Sequence, residues 1–199
     1  MTGVETRSGD AKRALRSELI AVRARLSQEE RSEKSHAIAE RVDRIAAVRD
    51  ARTVALYAPL GTEVDSTELA RRIGARGGRV VYPRSVVGER RLVFCRCDPA
   101  ELVRGPLGAR EPPAGAPEVA LAEVDCVVMP GVAFSLDGLR LGRGGGYYDA
   151  TLWAMPGSAR VGVAFDVQVV PSLPREPHDA PLDALVTESR ALTFARGAR

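Results

Sequence analysis

The densest run of chemically useful residues is Asp137-Gly138-Leu139-Arg140-Leu141-Gly142-Arg143-Gly144-Gly145-Gly146-Tyr147-Tyr148-Asp149. Four of the five positions 142–146 are glycine. A backbone without Cβ atoms can approach a ligand closely and turn successive N–H groups toward it. Such a nest ahead of a helix N-terminus favours phosphate. Arg140 and Arg143 add fixed positive charge and forked donors that suit phosphate oxygens. Asp149 falls in the first turn of a helix expected from about Gly146 to Trp153, where a carboxylate can take a Mg²⁺ carried by a nucleotide. The run fits neither the G-x-x-x-x-G-K-[ST] loop nor the dinucleotide-binding turn in its usual setting, so phosphate binding is indicated and the reaction stays open. Near the N-terminus, Lys12 and Arg16 lie four apart and share a helix face. Such a pair either grips phosphate or forms the wet side of an amphipathic helix.

These groups need elements to hold them. Asp10 is a candidate N-cap for a helix to about Leu26, with Leu15, Leu19, Val22 and Leu26 as its buried stripe. Residues 1–9 are expected to form a flexible arm. Ser27 and Glu30 read as a capping box that starts a second helix running to about Ala47. Strands follow at Thr53–Tyr57, Arg79–Tyr82, Leu92–Cys97, Val124–Met129, Arg160–Phe165 and Leu182–Thr187, with a helix over Ser66–Arg76 and a loop-rich stretch at Pro99–Pro117. Strands alternating with helices predict a single α/β domain with a mostly parallel sheet. Ligands of such sheets sit beyond the carboxyl ends of the strands. That rule points to Ala58–Asp65, Pro130–Asp149 and Asp166–Asp183.

Composition narrows the classes. The chain has 199 residues, 45 % of them hydrophobic, which is enough for a buried core and argues against disorder. Its formal net charge of +3 suits an anionic small molecule as well as a nucleic acid. An aromatic content of 5 % leaves too few rings for a single-stranded nucleic-acid platform. The three cysteines, Cys95, Cys97 and Cys126, form no disulfide framework, and with only His36 and His178 beside them they suggest no zinc site. No apolar run is long enough to span a bilayer, and the first ten residues contain no secretory core, so a cytoplasmic protein is expected.

Taken with Met129-Pro130-Gly131-Val132-Ala133-Phe134, the glycine-rich run resembles the signature of 5-formyltetrahydrofolate cyclo-ligases. Lys12-x-x-Leu15-Arg16, Tyr57-x-Pro59 with Glu63-Val64-Asp65, Tyr82-Pro83-Arg84, Glu111-Pro112, Gly162-x-x-Phe165-Asp166-x-Gln168, His178-Asp179 and Thr187-Glu188 follow in that family's order, so the likeness covers about residues 11–188. The resemblance implies a three-layer α/β/α fold like that of ribose-phosphate isomerases and CoA-transferases. It also implies ATP- and Mg²⁺-driven closure of 5-formyltetrahydrofolate to 5,10-methenyltetrahydrofolate, with release of ADP and phosphate, by a protein expected to be a monomer without nucleic-acid or membrane partners.

Carried over by position, Lys12, Arg16 and the loop Arg140, Leu141, Gly142, Arg143, Gly144, Gly145, Gly146, Tyr147 and Tyr148 would bind ATP. Arg16, Leu56, Tyr57, Glu63 and Arg143 through Tyr147 would bind the folate. Asp149 and Asp179 would hold the metal, and Arg143 and Glu63 would be catalytic. Of Tyr147 and Tyr148, one is expected to form substrate wall and the other to pack the helix. Family members differ at Gly145, some carrying lysine. With glycine here, Lys12, Arg16 and Arg143 must supply the phosphate-binding charge.

Overall fold

The computed structural model describes residues 3–195. Its first turn is set by the predicted capping box: the Ser27 hydroxyl accepts from the Glu30 N–H, and the Glu30 carboxylate accepts from the Ser27 N–H. The box separates α1 (Gly3–Ala24) from α2 (Gln28–Arg44). Asp10 therefore lies inside α1 rather than capping it, and the expected arm is helical from Gly3 onward. Nothing in Val4–Ser8 breaks a helix, and extending an existing helix adds one hydrogen bond for each residue fixed. Met1 and Thr2 lie outside the described residues.

The remaining elements follow in order: α3 (Ala46–Arg49), β1 (Thr53–Ala55), α4 (Thr67–Ala75), β2 (Arg79–Val86), β3 (Arg91–Cys95), β4 (Val103–Arg104), β5 (Arg110–Glu111), β6 (Glu118–Val119), β7 (Cys126–Met129), β8 (Ala133–Ser135), β9 (Arg140–Leu141), α5 (Tyr147–Leu152), β10 (Ala159–Val163), β11 (Val169–Val170), β12 (Ala184–Val186) and β13 (Ala191–Thr193). The main sheet has the order β13-β12-β10-β7-β1-β2-β3-β6. From β12 to β2 every neighbouring pair is parallel, whereas β13, β3 and β6 join antiparallel at the edges. The fold is thus α/β with a mostly parallel sheet, as expected.

Period-two alternation assigns the two faces of that sheet. Val54, Cys126 and Val128 face a core formed with Ile38 and Val42 of α2 and Leu69 and Ile73 of α4. Ala55, Val127 and Met129 face the opposite core, with Leu152 of α5 and Met155. Strands buried on both sides read as continuous apolar runs, which is why β7 was legible. At the start of α4, Asp65 Oδ1 accepts from the Thr67 N–H at 2.8 Å, while the Ser66 hydroxyl donates to the Tyr57 carbonyl. Ser66 is therefore the N-cap residue without a capping side-chain bond, and Asp65 before it closes a turn onto the first helical N–H.

The short strands β6, β11 and β13 were not foreseen, nor were two hairpins. The expected glycine loop contains a hairpin, β8–β9, closed by Asp137-Gly138 with Gly138 at φ +85°, and the loop-rich stretch contains the hairpin β4–β5. The stripe on α1 divides accordingly. Leu15, Leu19 and Val22 pack with Val132, Ala133 and Leu141 of the first hairpin, while Leu26 meets the main core.

Candidate active site

Beyond the carboxyl ends of β1 and β7 lies a cavity of about 460 Å³, bordered by Tyr57, Ala58, Leu60 and Glu63, by Pro130 and Gly131, and by Arg140 through Asp149. Lys12 and Arg16 of α1 enter from one side, and Glu176, His178 and Asp179 from the loop before β12. Pro83, Ser85, Leu92, Leu107, Ala109, Arg110 and Glu111 complete the wall. The volume suits a drug-sized ligand.

Each side chain is placed by a local device. The β8–β9 hairpin pairs Phe134 with Arg140 and so returns Arg140 beside Pro130. Gly146, at φ +73°, is the N-cap of α5 in a conformation that side chains other than glycine adopt only with strain. A Cβ at Gly145 would lie 2.9 Å from a ring carbon of Tyr147, so the glycine allows that ring to lie against the loop. Arg16 Nε donates to the Gly142 carbonyl at 2.9 Å, pinning the loop to α1.

The charges form three cation–carboxylate groups. Arg143 donates to Glu63 Oε1 through Nη2 at 3.0 Å and Nε at 3.1 Å, and to the Leu60 carbonyl at 3.4 Å. Arg140 Nη2 donates to both oxygens of Asp149 at 3.2 Å, and its guanidinium lies 5.2 Å from the centre of the Tyr148 ring. Lys12 Nζ donates to Glu176 Oε2 at 2.7 Å and to Asp179 Oδ2 at 2.9 Å. Burial acts most strongly on Lys12 and opposes its charge, but hydrogen bonds to Glu176 and Asp179 outweigh it and hold the pKa above the ordinary lysine value. Burial likewise pushes the Tyr148 and Tyr57 hydroxyls well above the tyrosine range, so both are neutral donors. The Tyr57 hydroxyl donates to the Val64 carbonyl.

The carboxylates suit a hard divalent cation. Ligand atoms of Glu176, His178 and Asp179 all lie within 4.8 Å of one another, and a lysine ammonium already sits against two of them. Asp149 faces the same loop, its Oδ1 accepting from the Ala180 N–H at 3.4 Å. Oxygen-rich donor sets of this kind favour Mg²⁺ over softer metals.

A sequence profile described as the 5-formyltetrahydrofolate cyclo-ligase family matches residues 8–188. The chain belongs to this family. It is 36 % identical over 173 residues to the 5-formyltetrahydrofolate cyclo-ligase of Escherichia coli (strain K12), covering 84 % of this chain and 95 % of that one. Identity to the cyclo-ligase of Mycolicibacterium smegmatis is 34 % over 151 residues, covering 73 % and 78 %. The solved 5,10-methenyltetrahydrofolate synthetase of Aquifex aeolicus superimposes with a TM-score of 0.79 at 35 % identity, covering 94 % of this chain and 95 % of that one.

Most positions implied by the cyclo-ligase resemblance meet at the cavity: Lys12, Arg16, Tyr57, Glu63, Arg140 through Tyr148, Asp149 and Asp179. Leu56 does not. It is 1 % exposed and, just past the end of β1, packs with Val54 in the core beside α2 and α4, on the face opposite to Ala55. Tyr147 lies half-buried against the glycine loop, whereas Tyr148 packs against the core and under Arg140. Glu176 was missed, although its spacing of three from Asp179 in one loop was visible. Arg90 was also missed: it adopts a left-handed φ of 49° and donates to the Gly145 carbonyl at 3.1 Å across the loop.

Proposed function

We propose that this chain uses ATP and Mg²⁺ to convert 5-formyltetrahydrofolate into 5,10-methenyltetrahydrofolate, releasing ADP and phosphate, and that it does so as a cytoplasmic monomer. One observation carries the reading: in a member of the cyclo-ligase family, the glycine loop, Lys12, Arg16 and Arg143, and the carboxylates Asp149 and Asp179 all border one cavity. Among the described residues no helix is long and apolar enough to cross a membrane.

An N-formyl group is an amide and a poor electrophile. The γ-phosphoryl group of ATP is transferred to the formyl oxygen, giving an iminium phosphate and ADP. N10 of the folate attacks the activated carbon and forms the second C–N bond. Loss of the N10 proton and departure of phosphate, which breaks the C–O bond, leave the methenyl bridge. Phosphoryl transfer asks the protein mainly for position and charge. The glycine loop supplies N–H groups, and Lys12, Arg16 and Arg143 neutralise phosphate oxygens. Asp149 and Asp179 would hold Mg²⁺, which would supply positive charge to offset that of the phosphates. Glu63 accepts hydrogen bonds from the pterin and orients it, with Tyr57 and Tyr147 as flanking surface.

The test is an absorbance assay at the methenyl-folate band with purified protein, 5-formyltetrahydrofolate and Mg–ATP, leaving out each component in turn. Product only with all components, matched by ADP, is expected. Binding of folate and ATP without product would reduce the chain to a binding protein.

A further inference from the structure

Lys12, Arg16 and Arg23 follow one another at spacings of four and seven, so α1 lays three cations along one face. The first two border the cavity. Arg23 lies behind its wall, 2 % exposed, while Arg25, in the turn just after the helix, is exposed. Its Nε donates to the Thr62 hydroxyl at 3.0 Å and its Nη1 to the Gly131 carbonyl at 3.3 Å. Those partners belong to the turns after β1 and β7, and both turns line the cavity. A guanidinium buried against neutral oxygens is costly unless its charge is used.

Glu63 is where that charge is used. The Glu63 side chain is 7 % exposed, and its direct partner Arg143 is 47 % exposed. Burial acts most strongly on Arg23 and disfavours its charge, Glu63 offsets this, and Arg143 adds to the penalty. Glu63 thus feels two cations of different freedom, one at the open cavity and one locked in the wall. If Arg143 turns to a phosphate, the buried Glu63 carboxylate would keep the Leu60 N–H on Oε2 at 2.9 Å but lose the cation on Oε1, a costly state without a second cation nearby.

We infer that Arg23 is a positioning residue, which bolts the Thr62–Glu63 turn to Gly131 and serves as the fixed counter-charge that lets Glu63 release Arg143 to the nucleotide. The inference rests on the assignment of Arg143 to phosphate made above.

The test measures Mg–ATP affinity by calorimetry without folate, together with kcat and KM for both substrates. It compares wild type, Arg23→Met, Arg23→Lys, Arg143→Met and the Arg23→Met/Arg143→Met double variant. Arg23→Met should weaken nucleotide binding about tenfold, a coupling of ordinary size for neighbouring charges, and should add almost nothing in the Arg143→Met background. Arg23→Lys keeps the charge and should restore most of the nucleotide affinity.

Losses that add fully in the double variant, or equal losses in Arg23→Lys and Arg23→Met, would overturn the inference. Should Arg23→Met fail to fold, Thr62→Val gives the complementary contrast: it loosens the turn but keeps the charge. It should raise the folate KM and leave nucleotide affinity intact, and a nucleotide loss there would count against the charge role. Wild type that binds neither nucleotide nor folate would instead refute the cyclo-ligase reading, and an Arg143→Met variant with unchanged affinity would refute the phosphate role of Arg143.

Discussion

Arg143 reaches the cavity with its side chain 47 % exposed, so little packing is lost when it is shortened. Removing a charged donor aimed at a transferring phosphoryl group costs on the order of 10²–10³ in turnover. Arg143→Ala should therefore lower kcat/KM by about that factor while the thermal melt stays within a few degrees of wild type. A normal rate from folded variant would remove Arg143 from the chemistry. Lys12 is the opposite case, with its side chain 8 % exposed and held by two carboxylates. Lys12→Met should cost about 2 kcal/mol of stability, the scale of a charge-assisted hydrogen bond. Because the pKa of Lys12 is raised on folding, this contribution is complete below the ordinary lysine value of 10.5 and fades as pH climbs through the higher folded value. Urea midpoints of wild type and Lys12→Met should thus differ by a constant amount between about pH 6 and 9 and converge in stronger alkali. A gap that closes near neutral pH would contradict the pairing.

At the scale of elements, α1 is the component that brings Lys12 and Arg16 to the site. Its seat is small: Leu19, with Leu15 and Val22 beside it, packs on Val132, Ala133 and Leu141 of the β8–β9 hairpin. The hairpin in turn carries Arg140 and leads into the glycine loop. Leu19→Ala should therefore act twice. It should cost about 2–4 kcal/mol through the cavity it leaves. It should also weaken nucleotide binding, although Leu19 does not border the cavity, because Lys12 and Arg16 lose their fixed distance from the loop. Denaturant titration and calorimetry on the same variant separate the two effects. Lost stability with unchanged nucleotide affinity would show that the seating of α1 does not set the site.

Across the whole molecule, the cavity holds its charges in mutually neutralised groups: Lys12 with Glu176 and Asp179, Arg140 with Asp149, and Arg143 with Glu63. A bare nucleotide would compete with carboxylates for the cations, and a bare metal would compete with cations for the carboxylates. Under the proposed function, Mg–ATP would answer both demands together, its phosphates taking the cations and its metal the acids. The expected outcome is a thermal shift with Mg–ATP equivalent to about 2.7 kcal/mol at a hundred times its Kd, with much smaller shifts from ATP plus chelator or from Mg²⁺ alone. Equal shifts from Mg²⁺ alone would mean that Lys12 does not obstruct the metal ligands.

The sequence by itself determined what depends on neighbours along the chain. The capping box at Ser27, the apolar run of β7 and the α/β alternation are all local patterns, and each appears where its residues predict it. Lys12, Arg143 and Asp179 were legible as candidates through resemblance, but their grouping was not. Only the tertiary structure decided that Lys12 meets Glu176 and Asp179, 164 and 167 positions away, and that Arg143 meets Glu63 across 80. It also turned Leu56 into the core and buried Arg23 behind the wall, while leaving Arg25 in solvent. The physical reason is that periodicity along one element gives the direction of a side chain only relative to that element. What it faces depends on how whole elements pack, and here the packing of α1 on the β8–β9 hairpin brings the cations to the loop.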